Sequence, residues 1–368
     1  MIYLDHGATS FTKPPQVSQA MLCALKTCAS PGRGGYRQSM EAARVVYSCR
    51  RTAASLFECE PEQVVFTNNC THGLNIAIRT LVKPGDRVVI SGFEHNAVLR
   101  PLYACNARIT VVGRQLFQWE SLLNEFEAAL REGADAAIFT HVSNVFGYVL
   151  PVNDMAKLCK QYGVPFIIDA AQSAGMLPIS LRDLGADFIA MPGHKGLLGP
   201  QGTGILLCNA SAQPLFYGGT GSDSMSRDMP EQLPDRLEAG TMNVPGIAGI
   251  DAGITYLKRM GLENIQRHKQ METEYCVKRL KELGVEVFSG SHQCGTVSFV
   301  PPMDCEEVSE ALAKADIAVR AGQHCAPLAH ESAGTLDTGT VRISFGPETR
   351  RAETEFFIRK LASILKKF

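Results

Sequence analysis

The chain of 368 residues carries 36 Lys and Arg against 37 Asp and Glu, a formal net charge of -1, with 45% hydrophobic and 20% charged residues. That balance gives no bulk attraction to nucleic acid or to an anionic membrane, and no apolar run approaches the ~18 residues of a membrane-spanning helix. The opening Met1-Ile-Tyr-Leu-Asp-His6 lacks the basic and apolar regions of a signal peptide, so a cytoplasmic address is expected. The 12 cysteines are scattered, with no Cys-x-x-Cys pair and no Cys/His spacing that suits zinc, so no metal site is indicated. Cys23, Cys49, Cys159 and Cys208 lie in apolar or helical patterns and read as small core hydrophobes.

In chain order, short apolar runs rich in Val, Ile and Phe recur at 63–67, 87–91, 108–112, 136–142, 165–169, 187–191 and 204–208. Amphipathic stretches such as 71–82, 120–131 and 153–162 separate them. Alternation at intervals of about 20 to 28 residues predicts an α/β fold, a mostly parallel, doubly wound, seven-stranded sheet covered by helices. The last interval is too short for a helical crossover, which predicts an antiparallel final strand. From Val244 the pattern changes to helices at about 244–260 and 262–283. Strands follow at 285–288 and 295–300, a helix near 305–315, strands at 317–320 and 340–345, and a helix over 349–366. The expected organisation is a large domain over 13–245 and a smaller α+β domain built from 1–12 and 246–368.

Polar residues collect where strands end, the place ligands occupy in open α/β sheets. Lys195 follows the apolar run 187–191 inside the Gly- and Pro-rich turn Gly193-His-Lys-Gly196. Asp169 ends the run 165–169, with Gln172 just beyond. Singly, such a lysine reads as a snorkelling surface residue and such an aspartate as a helix cap. Together they have the layout pyridoxal phosphate (PLP) needs: an amine for the aldehyde and a carboxylate for the pyridine nitrogen. Thr67-Asn-Asn-Cys-Thr-His-Gly73 joins a strand to a helix, where backbone N–H groups and the Thr71 hydroxyl either face an anion or form a plain cap. His95, after another strand, either stacks on an aromatic ring or caps the next helix. Cys325 lies in the Gly- and Pro-bounded loop Gly322-Gln-His-Cys-Ala-Pro327, unlike the other cysteines, and reads as a nucleophile or as an idle loop thiol.

The series Glu94-His-Asn96, His141-Val-Ser-Asn-Val-Phe-Gly147, Asp169-Ala-Ala-Gln172, Gly193-His-Lys195, Glu238-Ala-Gly-Thr241 and Arg320-Ala-Gly-Gln-His-Cys-Ala326 resembles the cysteine desulfurases. These belong to the class V aminotransferase group of fold-type I PLP enzymes, and the likeness runs in order over essentially the whole chain. It implies that Lys195 holds PLP and moves the substrate Cα proton, and that Asp169 pairs with the pyridinium. It also implies that Gln172 meets the ring hydroxyl and His95 stacks on the ring. Thr71, with His72 beside it, and His194 would bind phosphate, and Thr241 would reach the phosphate of a partner subunit in a homodimer. Asn144 and Arg342 would hold the substrate carboxylate. Cys325 would take sulfur from L-cysteine as a persulfide, release L-alanine and pass the sulfur to a protein acceptor.

Three positions depart from the family's pattern: Pro192, Gln323 and His6. The short loop between Cys325 and Arg342 also resembles the selenocysteine lyases, which keeps L-selenocysteine open as a substrate. An aminotransferase-like enzyme with Cys325 idle is the other reading on the same fold, and a non-catalytic sulfur-trafficking scaffold a further one. His324 adjoins Cys325 in sequence, which leaves their contact open.

Overall fold

A computed structural model describes residues 1–32 and 34–366. The chain opens with β1 (Ile2–Tyr3), α1 (Pro15–Thr27) and α2 (Arg37–Phe57). An alternating stretch follows: β2 (Val64–Thr67), α3 (Cys70–Leu81), β3 (Arg87–Ser91), α4 (Asn96–Ala104), β4 (Arg108–Val112), α5 (Trp119–Arg131) and β5 (Ala136–Thr140). It continues through α6 (Val152–Tyr162), β6 (Phe166–Asp169), α7 (Leu181–Leu184), β7 (Phe188–Pro192) and β8 (Gly204–Cys208). The C-terminal part comprises α8 (Val244–Met260), α9 (Leu262–Glu282), β9 (Glu286–Phe288), β10 (Thr296–Val300), α10 (Cys305–Lys314) and β11 (Ile317–Ala318). It ends with β12 (Arg320–Gly322), α11 (Pro327–Ala333), β13 (Thr340–Ser344) and α12 (Arg351–Leu365).

The central sheet has seven strands in the order β2-β8-β7-β6-β5-β3-β4. Strands β3 to β7 pair in parallel, whereas β8 runs antiparallel to both β7 and β2, as the short connection requires. Strands β2, β5, β6, β7 and β8 are buried throughout. Alternate residues feed two separate cores: Val64, Val89 and Ile168 on one side, Val65, Val88 and Ile167 on the other. Helices therefore cover both faces, and the strands read in sequence as unbroken apolar runs.

A second sheet, β12-β13-β10-β9, is antiparallel and shares a core with α10 and α12. The N-terminal segment joins this region, because β1 pairs in parallel with β11 and Asp5 bridges to Ser344. The strand expected over 317–320 is two strands: β11 turns to β1 and β12 to β13, with Val319 between them. Helix α8 packs on α1 and α2 and its apolar face belongs to the core of the central sheet, although the sequence reading groups everything from 246 with the small domain. Helices α1 and α2 had no assignment from sequence. The inward stripe of α2 is Ala42, Val46, Cys49 and Ala53, at helical spacing but built of small side chains that hardly register as hydrophobic. Cys49, Cys159 and Cys208 are buried as expected, but Cys23 is exposed on the outer side of α1. Among the described residues no helix is long and apolar enough to cross a membrane.

Candidate active site

The C-terminal ends of β6 and β7 bring Asp169 and Lys195 into one electrostatic neighbourhood. Asp169 is the last residue of β6, and Lys195 lies in the turn after β7. Two glycines let this turn press against the segment after β6. A Cβ on Gly196 would lie 2.0 Å from the Ala174 carbonyl oxygen, and one on Gly175 would lie 2.3 Å from that of Gly196. The N-terminal segment ties the turn from above: Ser10 Oγ donates to the His194 carbonyl at 2.9 Å and Thr9 Oγ1 donates to it at 3.1 Å.

Lys195 Nζ has no hydrogen-bond partner among the described residues. Burial pushes its pKa below that of an ordinary lysine; Asp169 opposes this, and Arg342 and Arg320 add to it. Asp169 is 2% exposed, and burial raises its pKa. The Ala171 N–H, the charge of Lys195 and the Cys70 thiol oppose that rise. The Ala171 N–H donates to Asp169 Oδ1 at 2.8 Å and the Cys70 thiol donates to the same oxygen at 3.5 Å. Oδ2 receives no hydrogen bond from the described residues.

The other sequence-selected residues surround this pair. His95 caps α4, its Nδ1 accepting the Ala97 N–H at 3.0 Å. Burial, and then the charge of Lys195, lowers its pKa to about 4. Gln172 Nε2 donates to the Gly7 carbonyl at 2.9 Å. His194 Nδ1 lies 3.0 Å from Thr9 Oγ1, so its Nε2 is the ring nitrogen left over. At the start of α3, Asn69 is the cap and accepts the His72 N–H at 2.8 Å. Thr71 is exposed in the first turn, while His72 Nε2 is buried with no partner. Thr241 is exposed in the segment before α8.

Arg342 is 1% exposed on β13. Its Nη2 donates to Asp5 Oδ1 at 2.6 Å, its Nη1 to the Asn144 carbonyl at 3.0 Å, and its Nε is buried without a partner. Asn144 Nδ2 donates to the His324 carbonyl at 2.8 Å. Sequence reasoning did not single out Arg320 or Cys70. Arg320 stands directly opposite Arg342 in the antiparallel ladder, so both project from the same face. Its Nη2 lies 3.9 Å from Cys325 Sγ. Its place at the head of the Arg320-to-Ala326 motif is the signal that could have found it.

Cys325 is exposed at the tip of a tight turn. His324 and Cys325 have φ of 50° and 59°, and the Ala326 N–H donates to the Gln323 carbonyl at 3.0 Å, which makes a type I′ turn. Two consecutive non-glycine residues in the left-handed region are strained, and the surroundings hold them there. The Cys325 carbonyl accepts the Asn96 N–H at 2.9 Å. The His324 ring faces inward, with Nε2 3.1 Å from Thr340 Oγ1. Burial, chiefly, lowers its pKa to about 2. It forms no hydrogen bond to Cys325 and is an anchor of the turn rather than a base for the thiol.

The sequence of this site and fold matches the aminotransferase class-V family over residues 2–357. The chain belongs to that family. Among its class-V relatives, a probable cysteine desulfurase of Methanothermobacter thermautotrophicus is 33% identical over 93% of this chain and 89% of its own length. A probable cysteine desulfurase of Pyrococcus abyssi is 32% identical over 100% of this chain and 94% of its own. The apo structure of a cysteine desulfurase from Thermococcus onnurineus superimposes with a TM-score of 0.92 at 31% identity, covering 100% of this chain and 95% of that one. The class-V fold, with its large and mostly parallel central sheet, is thus shared along the whole chain.

Proposed function

We propose that this protein is a PLP-dependent cysteine desulfurase that converts L-cysteine to L-alanine and carries the sulfur on Cys325. The observation that carries the reading is the convergence of a half-buried lysine with no hydrogen-bond partner among the described residues, a strand-end aspartate with one free oxygen, and an exposed cysteine beside an arginine. The donor set fits PLP. Asp169 Oδ2 is free for a pyridinium N–H, Lys195 Nζ is free for an aldehyde, and the first turn of α3 offers Thr71, His72 and open N–H groups to a phosphate. His194, Gln172 and His95 complete that set, and Thr241 is assigned to the phosphate of a partner subunit. When bound, PLP supplies an aldehyde that bonds amines and a ring that withdraws electrons from the amino acid's Cα.

The chain's own groups do the rest. Lys195, whose pKa burial lowers from that of an ordinary lysine, is the group placed to take and return a proton at the substrate Cα. Arg342 pairs with Asp5, whereas Arg320, opposite it in the ladder, has no ion-pair partner among the described residues, and that surplus of positive charge favours an anionic substrate. The substrate carboxylate is assigned to Arg342 and Asn144. The Cys325 sulfur bonds to the substrate sulfur as the Cβ–S bond breaks. A proton goes to Cβ, so that thiol plus cysteine becomes persulfide plus alanine. The pinned turn keeps Cys325 at the surface, which suits delivery of the sulfur to an acceptor protein that comes to it.

The test is incubation with L-cysteine, following alanine and protein-bound persulfide. Cys325→Ser is expected to bind cysteine and release no alanine, since a serine hydroxyl is too weak a nucleophile toward sulfur. Lys195→Ala is expected to lose both turnover and the borohydride-reducible PLP linkage. Unchanged alanine production by Cys325→Ser overturns the assignment of the nucleophile. A parallel incubation with L-selenocysteine, following selenide, separates the two substrates. The reading includes a homodimer, and exposed Leu22, Leu25 and Tyr47 on α1 and α2 supply apolar surface for one. An active, PLP-loaded monomer in sedimentation contradicts it.

A further inference from the structure

Cys70 opens α3 and is 8% exposed. Helix α3 packs across β6, β7 and β8, which brings its first residue to the end of β6. Gly204 on β8 permits the approach, because a Cβ there would lie 2.7 Å from the Asn69 carbonyl carbon. The thiol sits 3.5 Å from Asp169 Oδ1, a normal separation for an S–H donor. Direction is fixed by chemistry: an ionised carboxylate only accepts, so the thiol donates. Burial and the adjoining carboxylate keep that thiol protonated, well above the ordinary range for cysteine.

The two hydrogen bonds to this carboxylate both land on Oδ1. The Ala171 N–H is a backbone donor that any residue supplies, whereas the Cys70 thiol depends on a side chain. We propose that Cys70 is a positioning residue whose S–H holds Asp169 ionised and turned, so that Oδ2 is the oxygen offered to the pyridinium N–H. The inference rests on the PLP reading for its consequence and on the protein alone for its hydrogen bond. Two measurements keep these apart.

The first needs no cofactor. Thiol S–H stretching falls in an infrared window free of other protein bands. The difference spectrum between the apo protein and its Cys70→Ser variant isolates one of the 12 thiols. The expected band lies at lower wavenumber than that of an unbonded buried thiol and moves up in Asp169→Asn. A band at the unbonded position, or one that ignores Asp169→Asn, overturns the proposal. The second is PLP affinity, from titration of apo protein, in a double-mutant cycle of Cys70→Ala and Asp169→Asn. Cys70→Ala is expected to weaken PLP binding about tenfold in the parent protein and to leave it unchanged in the Asp169→Asn background. An equal loss in both backgrounds means that Cys70 merely packs, and overturns the positioning role. If PLP forms no reducible linkage even in the parent protein, the cofactor reading has failed while the infrared result stands by itself.

Discussion

Glu94 is fully buried after β3, and it accepts hydrogen bonds from Ser91 Oγ at 2.5 Å and from the Thr140 N–H at 2.9 and 3.0 Å. It thereby ties the His95 loop to β5. Burial raises its pKa from 4.5 to about 8, against the pull of those hydrogen bonds. A raised carboxyl pKa means that the folded state holds a proton the unfolded state has released. Its stabilising contribution is complete below pH ~4.5 and is lost as pH rises toward ~8. Glutamine has nearly the same shape and no proton to lose. Glu94→Gln is therefore expected to gain in melting temperature relative to the parent protein as pH goes from 5 to 8. Melting curves at both ends of that range decide it, and a pH-independent difference would count against a protonated Glu94.

At the scale of elements, the edge strand β2 is finished by a buried ion pair. Arg50 of α2 forks onto Glu238, with Nη1 at 2.8 Å from Oε1, and it also donates to the Val64 carbonyl. Glu238 accepts the Phe66 N–H at 2.7 Å, so one pair satisfies both sides of an otherwise open strand edge. It also fixes the segment that carries Thr241. Removing one partner strands the other's charge in the interior. Arg50→Ala is expected to cost about 3–5 kcal/mol in urea unfolding, and Arg50→Met combined with Glu238→Leu to cost less than that. A single-variant loss below ~1 kcal/mol would show the pair to be solvent-relieved. None of this was readable from sequence, because 188 positions separate the two residues. The central strands were readable because burial on both faces leaves continuous apolar runs. Lys195 and Asp169 were readable because each ends such a run. Contacts that depend on how the chain folds back were not: Cys70 meets Asp169 across 99 positions, and Arg320 meets Cys325 only through the strained turn. The single strand expected over 317–320 divides for the same reason, since its halves answer to different neighbours.

Across the whole molecule, burial lowers the pKa of seven of the 9 histidines, His72 and His330 among them, and in five the shift is large. Burial is the largest cause in each, lowering His6 to about 3, His95, His141 and His194 to about 4, and His324 to about 2. In the unfolded chain all five titrate near 6.5. Below that pH the unfolded state takes up protons the folded state refuses, so the stability these residues allow above pH ~6.5 is lost as pH falls toward ~4. Each fully buried histidine contributes at most about 1.4 kcal/mol per pH unit in that window. With His6, His95 and His194 discounted for partial exposure, the five together amount to roughly 4 kcal/mol per unit. Glu94 works in the opposite sense, as do Asp169 and Glu238, whose pKa burial also raises, but the histidines outnumber them and set the direction of the acid limb. Over that window the loss is of the order of an ordinary domain's whole stability, about 5–15 kcal/mol, so the protein is expected to be acid-labile. Urea midpoints are expected to drop steeply between pH 6.5 and 5, and unfolding at pH 5.5 to take up about two protons from solution, roughly three to the histidines less about one released by Glu94. Midpoints that stay level over that range, with no proton uptake, would mean that these rings are protonated in the folded protein and that their surroundings are wetter than the packing implies.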